Sequence, residues 1–178
     1  MASNSGQFYA TQNASYLLAA ANESVYVVLY LMRERAVTTS TSFWDWAIAF
    51  LATFLGTLLR PADPLNTIIG STLIVVGVAL NIFAALSLGK SISIVPAERG
   101  IKTRGFYRYV RHPMYASGIV TLLGYLIANF SVPNVCFALG TALLLLLRIE
   151  HEELFLSRNE AYRNYVAETK WKLMPGVY

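Results

Sequence analysis

From Thr67 to Leu88 the chain carries no charged side chain, and only Asn81 and a few small residues interrupt the apolar run. About 20 consecutive apolar residues are what a helix needs to cross a hydrocarbon core of roughly 30 Å. Four further runs have similar length: Tyr16 to Met32, Phe43 to Leu59, Met114 to Phe130 and Val132 to Ile149. The first is broken by Asn22, Glu23 and Ser24, and the second opens with Trp44 and Trp46, placed like interfacial anchors. The chain is 56% hydrophobic and only 13% charged, whereas soluble domains carry about a quarter charged residues. That deficit excludes an ordinary water-facing surface.

The last two runs are joined only by Ser131-Val132-Pro133, a link so short that it predicts an antiparallel helical hairpin. The expected fold is all-α: a polytopic membrane protein of about five transmembrane helices, with a C-terminal helical hairpin and a cytoplasmic tail. A single domain is expected over residues 1–178, with two motif-free spans in 1–66. Span three, a polar loop, the hairpin and the tail then occupy 67–178. With the N-terminus outside, thirteen of the fourteen Lys and Arg residues fall on inner segments, and only Arg60 lies outside. This is the positive-inside pattern. The net charge of +4 is therefore a matter of topology and anionic lipid, with no nucleic acid as partner. Cys136, alone in an apolar run, is expected to be a small buried hydrophobe, and no Cys/His cluster has metal-ligand spacing. Met1 to Tyr16 is polar and lacks a basic segment before an apolar core, unlike a cleaved signal peptide. Helical character is expected from Glu152 to Tyr165, along the membrane, with Pro175 ending the pattern.

Two polar clusters stand out. One runs from Lys102 to Tyr115 and includes Tyr107, Arg111, His112, Pro113 and Met114; the other is Arg148-Ile149-Glu150-His151-Glu152-Glu153. The hairpin brings them together at the inner interface. Arginines and tyrosines collect there to hold headgroups, which accounts for much of the first cluster. The second is harder to explain, because polar groups at the end of a leucine run are expensive unless paired or used. Arg148 and Glu152 share a helix face. Pro113 suits a helix start and sets His112 at its mouth, opposite Glu152.

In order, these residues resemble the isoprenylcysteine carboxyl methyltransferase family and its relatives, the phospholipid N-methyltransferases. The resemblance rests on Gly105-Phe106-Tyr107, Arg111-His112-Pro113-Met114-Tyr115-Ala116-Ser117-Gly118, Arg148 with Glu152-Glu153, Tyr162, Tyr165 and Pro175, and covers roughly the second half of the chain. It implies an S-adenosylmethionine cofactor lined by Arg99, Gly100, Ile101, Lys102, Tyr107, His112, Pro113, Met114, Tyr115 and Glu152. It also implies Arg148 facing the acceptor's reacting group, with no metal; Glu153 or His112 would assist where the acceptor must lose a proton. The acceptor implied is a membrane lipid or lipidated substrate, an isoprenylcysteine-type carboxylate first and a phospholipid amine or a thiol as alternatives. The rival classes are a non-enzymatic lipid-binding scaffold and a reductase of the sterol-reductase type. Two positions depart from the family pattern. Arg158-Asn159 replaces Phe-Gly, where Asn159 is expected to take the left-handed turn conformation. Lys172 replaces an arginine, keeping the charge without the forked donor geometry.

Overall fold

A computed structural model of the chain describes residues 14–178. The described residues are mainly helical. Helix α1 (Ala14–Leu31) leads through a two-residue strand β1 (Thr38–Thr39) to α2 (Phe43–Phe54), which tightens into a 3-10 turn at Leu55–Leu58. Helix α3 (Thr67–Leu88) is followed by strand β2 (Ala97–Glu98), which pairs antiparallel with β1. Then come the hairpin helices α4 (Pro113–Ala128) and α5 (Val132–Leu156), and a short α6 (Glu160–Glu168). The expected all-α character therefore holds apart from one two-residue strand pair. Two helical stretches, 67–91 and Val132–Leu156, are long and apolar enough to cross a membrane, with mean hydropathies of 2.3 and 1.9. Helices α2 and α4 are apolar but shorter. The reading of the N-terminus as unlike a signal peptide falls mostly on residues 1–13, outside the described residues.

Close approach of α3 to α4 organises the bundle. A Cβ added at Gly70 would lie 2.7 Å from the Ala128 backbone nitrogen; at Gly77 it would meet the Thr121 nitrogen at 2.7 Å. At Gly124 it would meet the Ile74 nitrogen, again at 2.7 Å. Only hydrogen fits at all three places. In lipid, where apolar side chains gain little by leaving hydrocarbon, such small-residue contacts drive helix association. Asn81 adds a polar clamp. Its side-chain amide donates to Met114 O (3.2 Å) and Ser117 Oγ (2.9 Å), and its oxygen accepts from Tyr26 OH (2.9 Å), tying α1, α3 and α4. Helix α2 packs instead on α5, and α1 and α2 barely touch. The molecule thus has two bodies, α1–α3–α4 and α2–α5, joined at the hairpin and enclosing a gap.

Several boundaries differ from expectation. Helix α5 continues past Ile149 to Leu156, so the whole second cluster lies on one helix; a break at Ser157 then separates it from α6. Asn159 does not take the left-handed conformation. With φ −88° and ψ 129° it is an extended N-cap whose side chain accepts from Ala161 N at 2.7 Å, closing α6 from its start. Cys136 is exposed, not buried, on the surface of α5. The Gly124→Val change is expected to abolish the monodisperse folded protein in detergent. Gly118→Ala on the same helix, with open space at its Cβ, should keep or slightly raise the unfolding temperature; size-exclusion profiles and thermal melts check both.

Candidate active site

Local sequence builds the inner mouth of the gap. Pro113 occupies the first position of α4, where its missing N–H is not needed, and His112 precedes it as the flanking residue. Upstream, Gly105 has φ 63° and lies where a Cβ would come within 2.4 Å of Ser87 Oγ. A larger residue fits neither the backbone nor the space, so the 3-10 turn Gly105–Arg108 can nest on the end of α3. This turn buries Tyr107, whose carbonyl accepts from Tyr165 OH at 2.6 Å. Burial pushes the Tyr107 hydroxyl well above its ordinary pKa, with the Glu152 charge adding to the effect. Tyr165 is pushed to about 12, again by burial. Both remain neutral donors.

Arg111 is the hub. Its Nε and Nη2 donate to the two oxygens of Glu153 at 2.7 and 3.2 Å, and Nη1 donates to Thr169 O (2.9 Å) and Lys170 O (2.7 Å). Its backbone N–H donates to Trp171 O, and that of His112 to Lys172 O. Burial alone would lower the Arg111 pKa; the Glu153 hydrogen bonds and charge reverse this and raise it. His112 Nε2 lies 2.9 Å from Glu153 Oε1, and its ring stacks on Tyr115 with centroids 5.5 Å apart. Lys172 pairs with Glu150 and approaches Glu153 at 3.6 Å. Loop, α5 and tail are held by one carboxylate and its cations.

Above this network opens a cavity of about 990 Å³, occupying the gap between the two helical bodies. At its inner end Arg99, Lys102 and Glu152 face it, with Tyr107, Met114 and Tyr115 as further wall. Tyr115 OH donates to Glu152 Oε2 at 2.6 Å. Arg148 lies farther in, its guanidinium 5.2 Å from the Tyr115 ring centroid, donating to Thr53 Oγ1 (3.2 Å) and to Ile94 O. Among the described residues no carboxylate pairs with it. The β1–β2 pair adjoins the inner end through Ala97, and Arg99 Nε donates to Glu34 O at 3.0 Å. Desolvation lowers the Arg99 pKa, and the nearby Arg33 charge lowers it further. Tyr162 also lines the cavity; its hydroxyl is buried and has no hydrogen-bond partner among the described residues.

A phospholipid methyltransferase family model matches residues 65–164, more than half the chain. The chain belongs to the phospholipid methyltransferase family. No curated protein matches it. The match begins just before α3 and ends within α6, so it takes in Arg99–Lys102, Arg111–Tyr115, Arg148, Glu152 and Glu153. Helices α1 and α2 lie outside it. The family and the two long apolar helices mark the chain as a membrane methyltransferase.

Of the residues singled out in sequence, Arg99, Gly100, Ile101, Lys102, Tyr107, His112, Met114, Tyr115, Arg148 and Glu152 all line the one cavity. Pro113 and Glu153 do not. Pro113 is buried as the start of α4, and Glu153 points behind the wall into the Arg111 network. His112 faces Glu153, not Glu152, and Arg148 does not pair with Glu152 although one helical turn separates them. Sequence reasoning missed Asn22, Tyr26 and Tyr30 of α1 and Thr53 of α2. The signal was present: Asn22 and Glu23, part of the break read as a weakness of span one, line the cavity. Replacing Glu153 by Gln should leave the buried guanidinium without its charge partner and destabilise the protein by about 3 kcal/mol. A clearly lowered unfolding temperature in detergent is the expected result.

Proposed function

We propose that the chain is an integral membrane methyltransferase that uses S-adenosylmethionine and acts on a lipidic acceptor, with an isoprenylcysteine-type carboxylate as the preferred class. The supporting observation is the cavity itself. It joins a charged inner end, Arg99, Lys102 and Glu152, to a cation, Arg148, that lies within a membrane helix without a carboxylate partner among the described residues.

The inner end suits the cofactor chemically. A zwitterionic amino acid moiety needs both signs of charge, which Arg99, Lys102 and Glu152 supply. The aromatic faces of Tyr107 and Tyr115 favour a sulfonium. When bound, S-adenosylmethionine supplies an electrophilic methyl group on sulfur. Arg148 would steer an acceptor carboxylate, whose oxygen needs no base. Tyr115 holds Glu152 in place through its hydroxyl and supports Arg148 through its ring. The rate enhancement asked of the protein is then chiefly alignment. Glu153 acts as a positioning residue, fixing Arg111 and His112. A phospholipid amine is the second reading, favoured by the family match; Arg148 would then hold the phosphate and Glu152 would accept the amine proton.

In the topology that accompanies this reading, α1 to α5 all cross the bilayer, with the N-terminus outside and the cavity's charged end and the tail cytoplasmic. Distribution of Lys and Arg supports it. The short α2 extends through its 3-10 turn, and its exposed Phe50, Leu51 and Phe54 suit lipid.

Calorimetry of S-adenosylhomocysteine with the detergent-purified protein tests the assignment. Saturable binding is expected, weakened at least about tenfold in Glu152→Ala. Arg148→Ala should keep cofactor binding and lose turnover of a carboxylate lipid. Absence of binding to folded wild-type protein, or near-normal turnover in both variants, would sink the assignment.

A further inference from the structure

The short strand pair has two sides. Successive residues of a strand point to opposite faces. Around β2, Ala97 and Arg99 line the cavity, while Glu98 between them lines a second pocket. Residues 38–41, in and after β1, continue its wall, and Phe155 near the end of α5 closes it with Arg158 and Asn159. No described residue lines both spaces. The pocket holds about 520 Å³, within the roughly 300–1,000 Å³ of small-molecule sites. Arg158-Asn159 is also where the chain departs from the family pattern, so one wall is made by residues that set this chain apart.

Two observations put the pocket at headgroup depth. Trp46 Nε1 donates to Ser40 O at 2.9 Å, and Trp44 and Trp46 are exposed. Exposed tryptophans at the start of a membrane helix sit where headgroups meet hydrocarbon. The Arg158 guanidinium lies 5.6 Å from the Phe155 ring centroid, a cation held over an apolar ring as at that boundary. Two opposite charges then line the space. Arg158 is exposed and pairs with no carboxylate among the described residues. Glu98 Oε2 accepts from Thr38 Oγ1 at 3.3 Å, and Oε1 accepts from Asn159 Nδ2. A carboxylate has about four lone-pair sites, so half of its capacity is open. Asp45 is taken by Ser40 Oγ and by His151 Nδ1 at 2.6 Å, and does not line the pocket.

We infer that this pocket binds the headgroup of an inner-leaflet phospholipid carrying a phosphate and a primary ammonium, at a site separate from the methyl acceptor's. The phosphate pairs with Arg158, and the ammonium donates to the open lone pairs of Glu98. Thr39 and Thr41 add hydroxyl-bearing side chains to the wall. A headgroup without an amine would set its phosphate beside Glu98 with nothing to answer that charge. A quaternary ammonium has no N–H for Glu98 and favours aromatic faces. Phe155, the one aromatic ring among the described residues of the pocket, already lies under Arg158. A lipid so held ties the end of α5 to β2, on whose other side Arg99 meets the cavity. The inference takes only the leaflet from the proposed reading, since none of its residues lines the cavity.

Equilibrium titrations of the delipidated full chain in detergent, with dihexanoyl phospholipids bearing ethanolamine, choline or glycerol headgroups, test this. The ethanolamine lipid is expected to bind about tenfold tighter than the other two. Arg158→Gln should weaken it about tenfold, and Glu98→Gln should bring the ethanolamine and choline lipids to parity. The preference should persist in Arg148→Ala, which removes the cavity's own anion contact. Equal binding of the ethanolamine and choline lipids by the wild type would overturn the inference. So would unchanged affinity in Arg158→Gln, or an undiminished preference in folded Glu98→Gln. Loss of the preference in Arg148→Ala would also overturn it, by placing the headgroup in the cavity. If Glu98→Gln does not fold, the wild-type comparison and Arg158→Gln decide. Soluble glycerophosphoethanolamine should bind at least about tenfold more weakly than the lipid; equal affinity would overturn the membrane as the source.

Discussion

The Arg111–Glu153 ion pair is the interaction on which the inner half of the molecule depends. One guanidinium, almost wholly buried, joins the polar loop, the end of α5 and the tail, because its Nη1 donors close on Thr169 O and Lys170 O. A charge so placed is tolerable only when it is paired and well hydrogen-bonded, as here with four donors used. The pair therefore sets the position of whatever adjoins it. His112 takes its orientation from Glu153, Tyr115 stacks on His112, and Tyr115 in turn holds Glu152 and supports Arg148. The cavity wall is a relay of contacts that starts behind it.

Two adjacent glutamates thus have opposite duties. On a helix, neighbouring residues point about 100° apart, so Glu152 faces the cavity while Glu153 faces the network. The same division separates the helical bodies. Glycines at 70, 77 and 124 let α3 and α4 meet at backbone distance, and α2 lies against α5. Tight packing on one side and little contact between α1 and α2 leave the cavity between them, with membrane-facing helices as its walls.

Much of this was legible in sequence. The hairpin followed from Ser131-Val132-Pro133, the start of α4 from Pro113, and the meeting of the two polar clusters from both. The duty of Glu153 was not legible, because an Arg111 some forty positions away decides it, and spacing within one helix says nothing about which neighbour claims which carboxylate. Asn159 was read by analogy with glycine, yet its side chain caps α6 from an extended backbone. Cys136 was read from composition, which cannot tell a core-facing from a lipid-facing position when both are apolar. Asn22-Glu23-Ser24 was read as a weakness of span one, and Asn22 and Glu23 also line the cavity: a polar break in an apolar run can signal either, and only the packing partner of α1 shows the second. The short β1–β2 pair left no trace, since two residues are too few for a period.

The central claim is that one cavity unites a charged cofactor end with a lipid end. A structure of the protein in a lipid nanodisc with S-adenosylhomocysteine tests it most directly. The account predicts ligand density between the Arg99–Lys102 loop, Tyr107, Met114 and Glu152, its sulfur directed toward Arg148. Density on the outer surface of the helices, or none in a well-resolved map at saturating ligand, would contradict it.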